Sequence, residues 1–127
     1  MIATAVISED GRYRYSLTRR WADRALMLWC MLNPSTADAQ QDDPTIRRCI
    51  GFALREGYGG IHVVNLMAYR ATDPDECMAQ SDPVGPENES HLEFAARVAT
   101  QVVCAWGAKA HDPIVERGLF HLRGVAL

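Results

Sequence analysis

Two asparagines give the strongest chemical signal in this sequence, because one directly follows an apolar run that predicts a buried strand and the other lies within such a run. The first begins the polar segment Asn33-Pro34-Ser35-Thr36-Ala37-Asp38, in which Pro34 stiffens the turn and restricts the orientation of Asn33. A held amide can aim a water molecule or a substrate edge, since it presents both donors and an acceptor. The alternative is that Asn33 and Asp38 only satisfy backbone groups of their loop, as Asx residues often do.

The second asparagine, Asn65, interrupts the apolar run Val63-Val64-Asn65-Leu66-Met67. An amide buried in such a run is costly unless backbone groups or a ligand satisfy it. Asparagine also suits recognition of a base edge or an amide-like ring, because a donor and an acceptor lie side by side. We therefore expect Asn33 and Asp38 to be catalytic and Asn65 to bind the substrate.

Further candidates for substrate binding lie near other predicted strand ends. Tyr69 and Arg70 have the chemistry to stack on or clamp an aromatic or phosphorylated ligand. Trp106 precedes a glycine that allows close approach of a ligand, although a plain core role explains Trp106 equally well. Lys109 could meet a phosphate at a helix N-terminus, but a solvated lysine is the commoner explanation. The predicted substrate-binding set is Pro34, Ser35, Asn65, Tyr69, Arg70, Trp106 and Lys109.

Composition and charge narrow the class of protein. A chain of 127 residues is enough for a single domain with one core. The net charge of −3 argues against binding to nucleic acid or to an anionic membrane through bulk charge. Five arginines cluster near the start, and we interpret them as solvated; they are Arg12, Arg14, Arg19, Arg20 and Arg24. No apolar stretch is long enough to cross a membrane, so no membrane partner is expected.

The four cysteines predict neither a metal site nor a cofactor site. Cys30, Cys49, Cys77 and Cys104 form no C-x-x-C pair and no group with histidine spacing, which disfavours zinc. We expect Cys30, Cys49 and Cys104 to be buried and unbridged, because all three fall on apolar faces. Such cysteines, with no positive leader at the start of the sequence, are typical of a cytoplasmic protein.

The elements that must position the candidates are three apolar runs, predicted as parallel strands at 26–32, 61–66 and 101–106. A strand without polar alternation is covered on both faces, as in the parallel sheets of α/β folds. Ligands of such sheets bind beyond the carboxyl ends of the strands. We therefore expect Asn33, Asn65 and Lys109 to border one cleft at this edge of the sheet.

Local signals predict the remaining elements. The turn at Glu9-Asp10-Gly11-Arg12 predicts an antiparallel hairpin of 1–8 and 13–18, with Arg14 on its polar face. Asp43-Pro44 predicts the start of a helix, with Leu54 on its apolar side and its end at Glu56. We expect at most a short helical turn near 76–80, a helix over 87–100 and a last helix within 108–127. The prediction is thus a single α/β domain, 1–127.

Six segments of the chain carry recognisable motifs, including Met-Leu-Asn-Pro-Ser-Thr-Ala-Asp and Val-Val-Cys-Ala-Trp-Gly; they are 8–15, 31–38, 42–49, 63–74, 82–88 and 102–107. These segments resemble the uncharacterised bacterial and phage family called domain of unknown function 1643. The resemblance covers most of the chain and implies no established activity. Members of that family continue with a His-Pro segment, so we expect this chain to be C-terminally short relative to its family.

Three shorter motifs are similar to those of the uracil-DNA glycosylase superfamily: Leu32-Asn33-Pro34, Val64-Asn65-Leu66 and Ala105-Trp106-Gly107. This resemblance implies a three-layer αβα sandwich with a central, largely parallel sheet. It also implies that Asn33 positions an attacking water and that Asn65 reads the pyrimidine edge. The His-Pro motif of those enzymes has no counterpart here, since His111-Asp112-Pro113 lies too close to Trp106.

Three functions remain open at this point. The first is an enzyme that binds a nucleobase or nucleotide and acts as a glycosylase-like hydrolase on DNA. The second is a non-catalytic module that binds a ligand or a partner in the same cleft. The third is a hydrolase or transferase of small nucleotides. Fold analogy alone does not decide among them, and the sequence predicts no oligomeric state.

Overall fold

The computed structural model describes residues 1–125 of the chain. Along this part of the chain the strands and helices are β1 (Ile2–Ile7), β2 (Arg14–Arg20), β3 (Leu26–Met31), α1 (Pro44–Arg55), β4 (Gly60–Asn65), α2 (Pro74–Met78), α3 (Asn88–Val98), β5 (Val102–Ala105) and α4 (Asp112–His121). The protein is a mixed α/β structure built on a five-stranded sheet.

The sheet has the strand order β1-β2-β4-β3-β5. Strands β4 and β5 both pair with β3 in parallel, which confirms the three predicted parallel strands. Strand β1 pairs antiparallel with β2, which confirms the predicted hairpin. Strand β2 also pairs antiparallel with β4. The sheet is therefore mixed rather than largely parallel, because both strands of the hairpin are part of it.

Helix α1 forms as its sequence predicts. The carboxylate of Asp43 caps the helix by accepting from the backbone N–H of Ile46 at 2.9 Å, and the C-cap is Glu56. Proline at the first helical position needs no hydrogen-bond partner and has a helical φ. Cys49 is buried as expected, but the expectation for Leu54 is wrong, since Leu54 is exposed at the edge of the apolar stripe.

The helices cover both faces of the sheet. Ile46, Cys49 and Ala53 of α1 pack in one cluster with Trp29 and Val63. The opposite face is covered by α3 and α4, through a cluster that includes Leu28, Val64, Leu92 and Leu122. The connections that leave β3 and β4 therefore lead to opposite faces, and a crevice opens between the carboxyl ends of neighbouring strands whose connections diverge in this way. Met31 and Asn65 are register partners at that point.

The remaining helices are shorter than predicted or are shifted along the chain. Helix α2 begins at Pro74 rather than near residue 76, because Asp73 caps it through the backbone N–H of Asp75. Helix α3 ends at Val98, and α4 spans Asp112–His121. The last helix, expected within 108–127, begins at Asp112, because Asp112 and Pro113 occupy its first positions. Residues 126 and 127 lie outside the described residues.

Two of the hairpin arginines are not solvated, which corrects the interpretation of the arginine cluster. The β1–β2 register passes from Val6 opposite Ser16 to Ile7 opposite Arg14, so Tyr15 is an extra residue in β2. Such a bulge interrupts the alternation of side chains and redirects the next side chain. Arg14 is consequently buried on the α1 side of the sheet, beside Val63.

Arg19 is the second buried arginine, and it holds the loop before α1. Its guanidinium donates to the Asp42 carboxylate at 2.9 Å and to the carbonyls of Asp38 and Gln41. A side chain of strand β2 therefore holds the loop that leads from β3 into α1.

All four cysteines are free, and Cys30, Cys49 and Cys77 are buried. The expected burial of Cys104 is wrong, since this residue is exposed. The reason is the strand order, because β5 lies at an edge of the sheet. Within residues 1–125, no helix is long and apolar enough to cross a membrane.

Candidate functional site

A small polar cavity lies at the carboxyl ends of β3 and β4, where the crevice opens. Its volume is about 40 Å³. A cavity needs roughly 10–15 Å³ to hold one water molecule, so this one admits a few water molecules or the polar edge of a larger ligand. We call it the edge pocket; its lining residues are Arg14, Met31, Asn33, Ser35, Asp43, Thr45, Ile46, Val63 and Asn65.

Asn65 is the central side chain of the edge pocket. It is the last residue of β4 and is 0% exposed. Neither its amide nitrogen nor its amide oxygen has a hydrogen-bond partner within the described protein. Its backbone carbonyl is engaged, because Asn88 Nδ2 donates to it at 2.8 Å. The backbone of Asn65 is thus held in place while the side-chain amide is left to satisfy a group in the cavity.

Arg14 supplies a buried positive charge to the same pocket. One terminal nitrogen, Nη1, donates to the carbonyl of Ala37 at 3.0 Å, whereas Nε has no partner within the described residues. Burial lowers the pKa of Arg14 to about 10, and the carboxylate of Asp43 opposes this change. Arg14 therefore stays protonated near neutral pH and offers hydrogen-bond donors to a bound group.

Asp43 supplies the opposite charge. Its two carboxylate oxygens accept from the backbone N–H groups of Ile46 and Ala37, at 2.9 and 3.3 Å. These bonds orient the carboxylate at the start of α1, where the helix dipole favours a negative charge. With Arg14 and Asp43 together, the pocket carries both signs of charge and offers both donors and acceptors.

Asn33 and Ser35 line the edge pocket as well, as the sequence predicts for one shared site. Asn33 Nδ2 donates to the carbonyl of Ala71 at 2.6 Å, which ties the loop after β3 to the loop after β4. The amide is therefore fixed, and its oxygen is the atom that can act on a ligand. Pro34 is buried behind this loop, and its carbonyl accepts from the backbone N–H of Ala71 at 3.1 Å.

Asp38, the second predicted catalytic residue, does not line the edge pocket. Its carboxylate accepts from the backbone N–H groups of Gln40 and Gln41 at 2.9 and 2.8 Å. These bonds lower the pKa of Asp38. These contacts agree with the alternative interpretation, in which Asp38 only satisfies backbone groups of its own loop.

Tyr69 and Arg70 lie next to the edge pocket rather than in it. Tyr69 packs edge-on against Tyr13 at 5.8 Å between ring centroids and belongs to a small aromatic cluster. Arg70 lines a separate, open groove together with Ser35. Ser35 is shared by the groove and the edge pocket.

Trp106 and Lys109 do not reach the edge pocket. Trp106 packs partly buried against the core on the side of α3 and α4, which agrees with its plain core interpretation. Lys109 is exposed in the turn before α4. The expectation that Lys109 borders the same cleft as Asn33 and Asn65 is wrong, because β5 lies on the far side of β3 from β4.

Three polar lining residues were absent from the predicted site, namely Arg14, Asp43 and Thr45, as were the apolar lining residues Met31, Ile46 and Val63. The signal for Asp43 was present, since its role as a helix cap places the start of α1 at the sheet edge. No comparable signal existed for Arg14, because a strict alternation of side chains assigns it to the polar face and only the bulge at Tyr15 redirects it. Among residues 1–125, no group of three or more His, Cys, Asp or Glu side chains is arranged to hold a metal ion.

The fold and the site together define an α/β protein with a small polar pocket at the carboxyl edge of its sheet. The chain belongs to the family described as protein of unknown function DUF1643, whose family model matches residues 14–123. The matched region contains every residue that lines the edge pocket. No curated protein matches the chain. No solved structure matches it either.

Proposed function

We propose that this protein binds the polar edge of a nucleobase in the edge pocket, as part of a nucleoside or a nucleotide. The observation that carries the proposal is Asn65, which is fully buried and whose two side-chain amide atoms have no hydrogen-bond partner within residues 1–125. Leaving a buried polar group without a partner costs about 1–3 kcal/mol. A ligand that hydrogen-bonds to both atoms recovers this cost on binding.

The charges of the pocket favour a neutral ring edge over an anion. A phosphate inserted beside Arg14 would also meet the carboxylate of Asp43 and be repelled by it. A nucleobase edge instead presents neighbouring donors and acceptors. Its acceptors can take hydrogen bonds from Arg14, and its donors can give them to Asp43, while Asn65 serves either kind of group.

The enzymatic form of the proposal is hydrolysis of an N-glycosidic bond, by resemblance to uracil-DNA glycosylases. Asn33 would orient water toward C1′ of the sugar. As the bond from the water oxygen to C1′ forms, the bond from C1′ to the base nitrogen breaks, and its electron pair leaves with the base. The proton that the attacking water loses passes to solvent, and the departing base takes up a proton from solvent, so that the sugar and the base are released neutral. Asn65 would stabilise the charge that develops there. Support comes from the position of Asn33 and Asn65 in one cavity and from helices on both faces of the sheet, an arrangement that fits a glycosylase-like three-layer αβα sandwich.

Calorimetric titration with uridine, thymidine, cytidine, adenosine and guanosine tests the binding proposal. We expect at least one nucleoside to bind the unmodified protein. Asn65→Leu should weaken that binding about tenfold or more, because two hydrogen bonds of about 1 kcal/mol each are lost. Gln101→Leu, which removes an exposed amide outside the pocket, serves as the matched control and should leave affinity unchanged. Absence of binding to all five nucleosides contradicts the proposal.

Release of base from a uracil-containing oligonucleotide tests the enzymatic form. If release occurs, Asn33→Ala should abolish it while nucleoside affinity is retained. Binding without release, by contrast, would assign the protein to non-catalytic ligand binding. Hydrolysis of free nucleotides without any requirement for DNA would instead indicate a small-nucleotide hydrolase.

A further inference from the structure

An open groove adjoins the edge pocket and has a different chemistry. Its volume is about 400 Å³, and it is lined by Gly11, Ser35, Thr36, Arg70, Ala71 and Thr72. Three loops build it, one from the turn between β1 and β2 and the others from the segments after β3 and β4. The backbone N–H of Arg70 donates to the carbonyl of Arg12 at 2.8 Å, and Ala71 is bonded to Pro34. The three loops are thus tied together before any ligand binds.

Arg70 is the charged residue of this groove, and its guanidinium is only partly engaged. Nη1 donates to the carbonyl of Gly11 at 3.3 Å, whereas the buried Nε has no partner in the described structure. Arg70 also forms no ion pair with any residue of the described chain. A guanidinium that lines an open groove and has no carboxylate partner among the described residues is suited to bind a phosphate.

Hydroxyl groups complete the groove. The hydroxyls of Ser35 and Thr72 are hydrogen-bonded to each other at 3.1 Å, and Thr36 adds a third, exposed hydroxyl. Among the described residues, no acidic side chain lines this groove. The positive charge of Arg70 contributes to the lowered pKa of Asp38, but that carboxylate is occupied by the backbone N–H groups of its own loop. The groove therefore presents one cation and three hydroxyls, a set that favours an anion.

We infer that this groove is the phosphate subsite of a nucleoside monophosphate whose base edge occupies the edge pocket. The inference rests on the proposed function and narrows it from nucleobases in general to phosphorylated nucleosides. Ser35, which lines both cavities, marks where the two subsites meet. The edge pocket contains both Arg14 and Asp43, which suits the neutral edge of a base. The groove contains Arg70 and, among the described residues, no carboxylate, which suits a phosphate.

Titration of the unmodified protein with paired nucleosides and nucleoside 5′-monophosphates tests this subsite. We expect the monophosphate to bind at least about tenfold more tightly than its nucleoside, because it gains at least one charge-assisted hydrogen bond. Arg70→Gln should remove this advantage and leave nucleoside affinity within about twofold. Arg12→Gln is the matched control. Arg12 lies next to Gly11 on the turn between β1 and β2, its side chain is 64% exposed, and it does not line the groove.

A second variant guards against loss of folding in Arg70→Gln. Thr36→Val removes an exposed hydroxyl without changing side-chain shape, and it should weaken only the phosphorylated ligand. Equal affinities for nucleoside and monophosphate would overturn the subsite while leaving the base pocket intact. Binding of pyrophosphate that depends on Arg70, without binding of any nucleoside, would support the subsite and contradict the proposed function. Tighter binding of a single-stranded oligonucleotide than of any monophosphate would overturn the mononucleotide assignment in favour of a nucleic acid strand.

Discussion

Replacing each of the two buried asparagines by leucine separates a ligand-binding amide from a structural one. Asn65 and Asn88 are both 0% exposed, so burial alone does not distinguish them. Their hydrogen bonds do. Asn88 Nδ2 donates to the backbone carbonyls of Asn65 and Leu66 at 2.8 and 3.4 Å, whereas the side chain of Asn65 makes no hydrogen bond within the described protein.

The two variants should therefore differ in stability. Asn88→Leu removes a donor from buried carbonyls and should lower the free energy of unfolding by about 1–3 kcal/mol. Asn65→Leu removes no protein hydrogen bond, and it places an apolar side chain beside Met31, Ile46 and Val63. We expect its free energy of unfolding to stay within about 1 kcal/mol of the unmodified protein or to rise.

Equilibrium unfolding in urea, followed by circular dichroism, measures both values. The slope of the free energy against urea should be the same for all three proteins, since the surface exposed on unfolding is the same. The reasoning is refuted if Asn65→Leu loses more than about 2 kcal/mol while Asn88→Leu is unchanged. That result would assign Asn65 to the architecture of the protein rather than to a ligand.

Three further predictions concern the rest of the structure. Arg19→Met should lower the free energy of unfolding by about 3–5 kcal/mol, because Arg19 is 2% exposed and donates to Asp42 and to carbonyls of the loop before α1. Burial lowers the pKa of His62 to about 4. The unfolded chain therefore takes up a proton on this histidine at a higher pH than the folded chain does. As the pH is lowered from about 6.5 to about 4, the free energy of unfolding should decrease by up to about 3 kcal/mol. A thiol reagent should label Cys104 alone among the four cysteines of the native protein, because the other three are buried.

Each of these predictions has its own control. Urea unfolding of Arg24→Met, which changes an exposed arginine, should give the stability of the unmodified protein; an equal loss in both variants contradicts the role of Arg19. His62→Gln should flatten the acid part of the stability curve, and an unchanged slope assigns the pH dependence to other groups. Cys104→Ser should abolish labelling of the native protein, so labelling that persists would mean that a second thiol is accessible.

Local signals in the sequence were sufficient wherever structure depends on neighbouring residues. The Asp43-Pro44 step and the glycines after residue 56 mark the ends of α1, and the three mainly apolar runs identify three parallel strands. Asn65 could also be identified from the sequence, because a single amide within an apolar run requires a partner. These features depend on burial and capping, which short segments reveal.

Features that depend on strand order and register could not be predicted in this way. Cys104 is exposed because β5 lies at an edge of the sheet, and Lys109 is separated from the pocket for the same reason. Arg14 enters the pocket only because the bulge at Tyr15 shifts the alternation of β2. The burial of Arg19 depends on the loop carbonyls of Asp38 and Gln41, which accept its hydrogen bonds and lie 19 and 22 residues further along the chain.

The side-chain amide signals of Asn65 in a nitrogen–proton correlation spectrum test the central claim most directly. The signals are assigned by their absence from the spectrum of Asn65→Leu. Addition of the tightest-binding nucleoside should shift both amide protons of Asn65 at concentrations near the measured Kd, because the base edge forms hydrogen bonds with this amide. Shifts that leave the Asn65 amide unchanged while the nucleoside binds would place the ligand elsewhere and contradict the account.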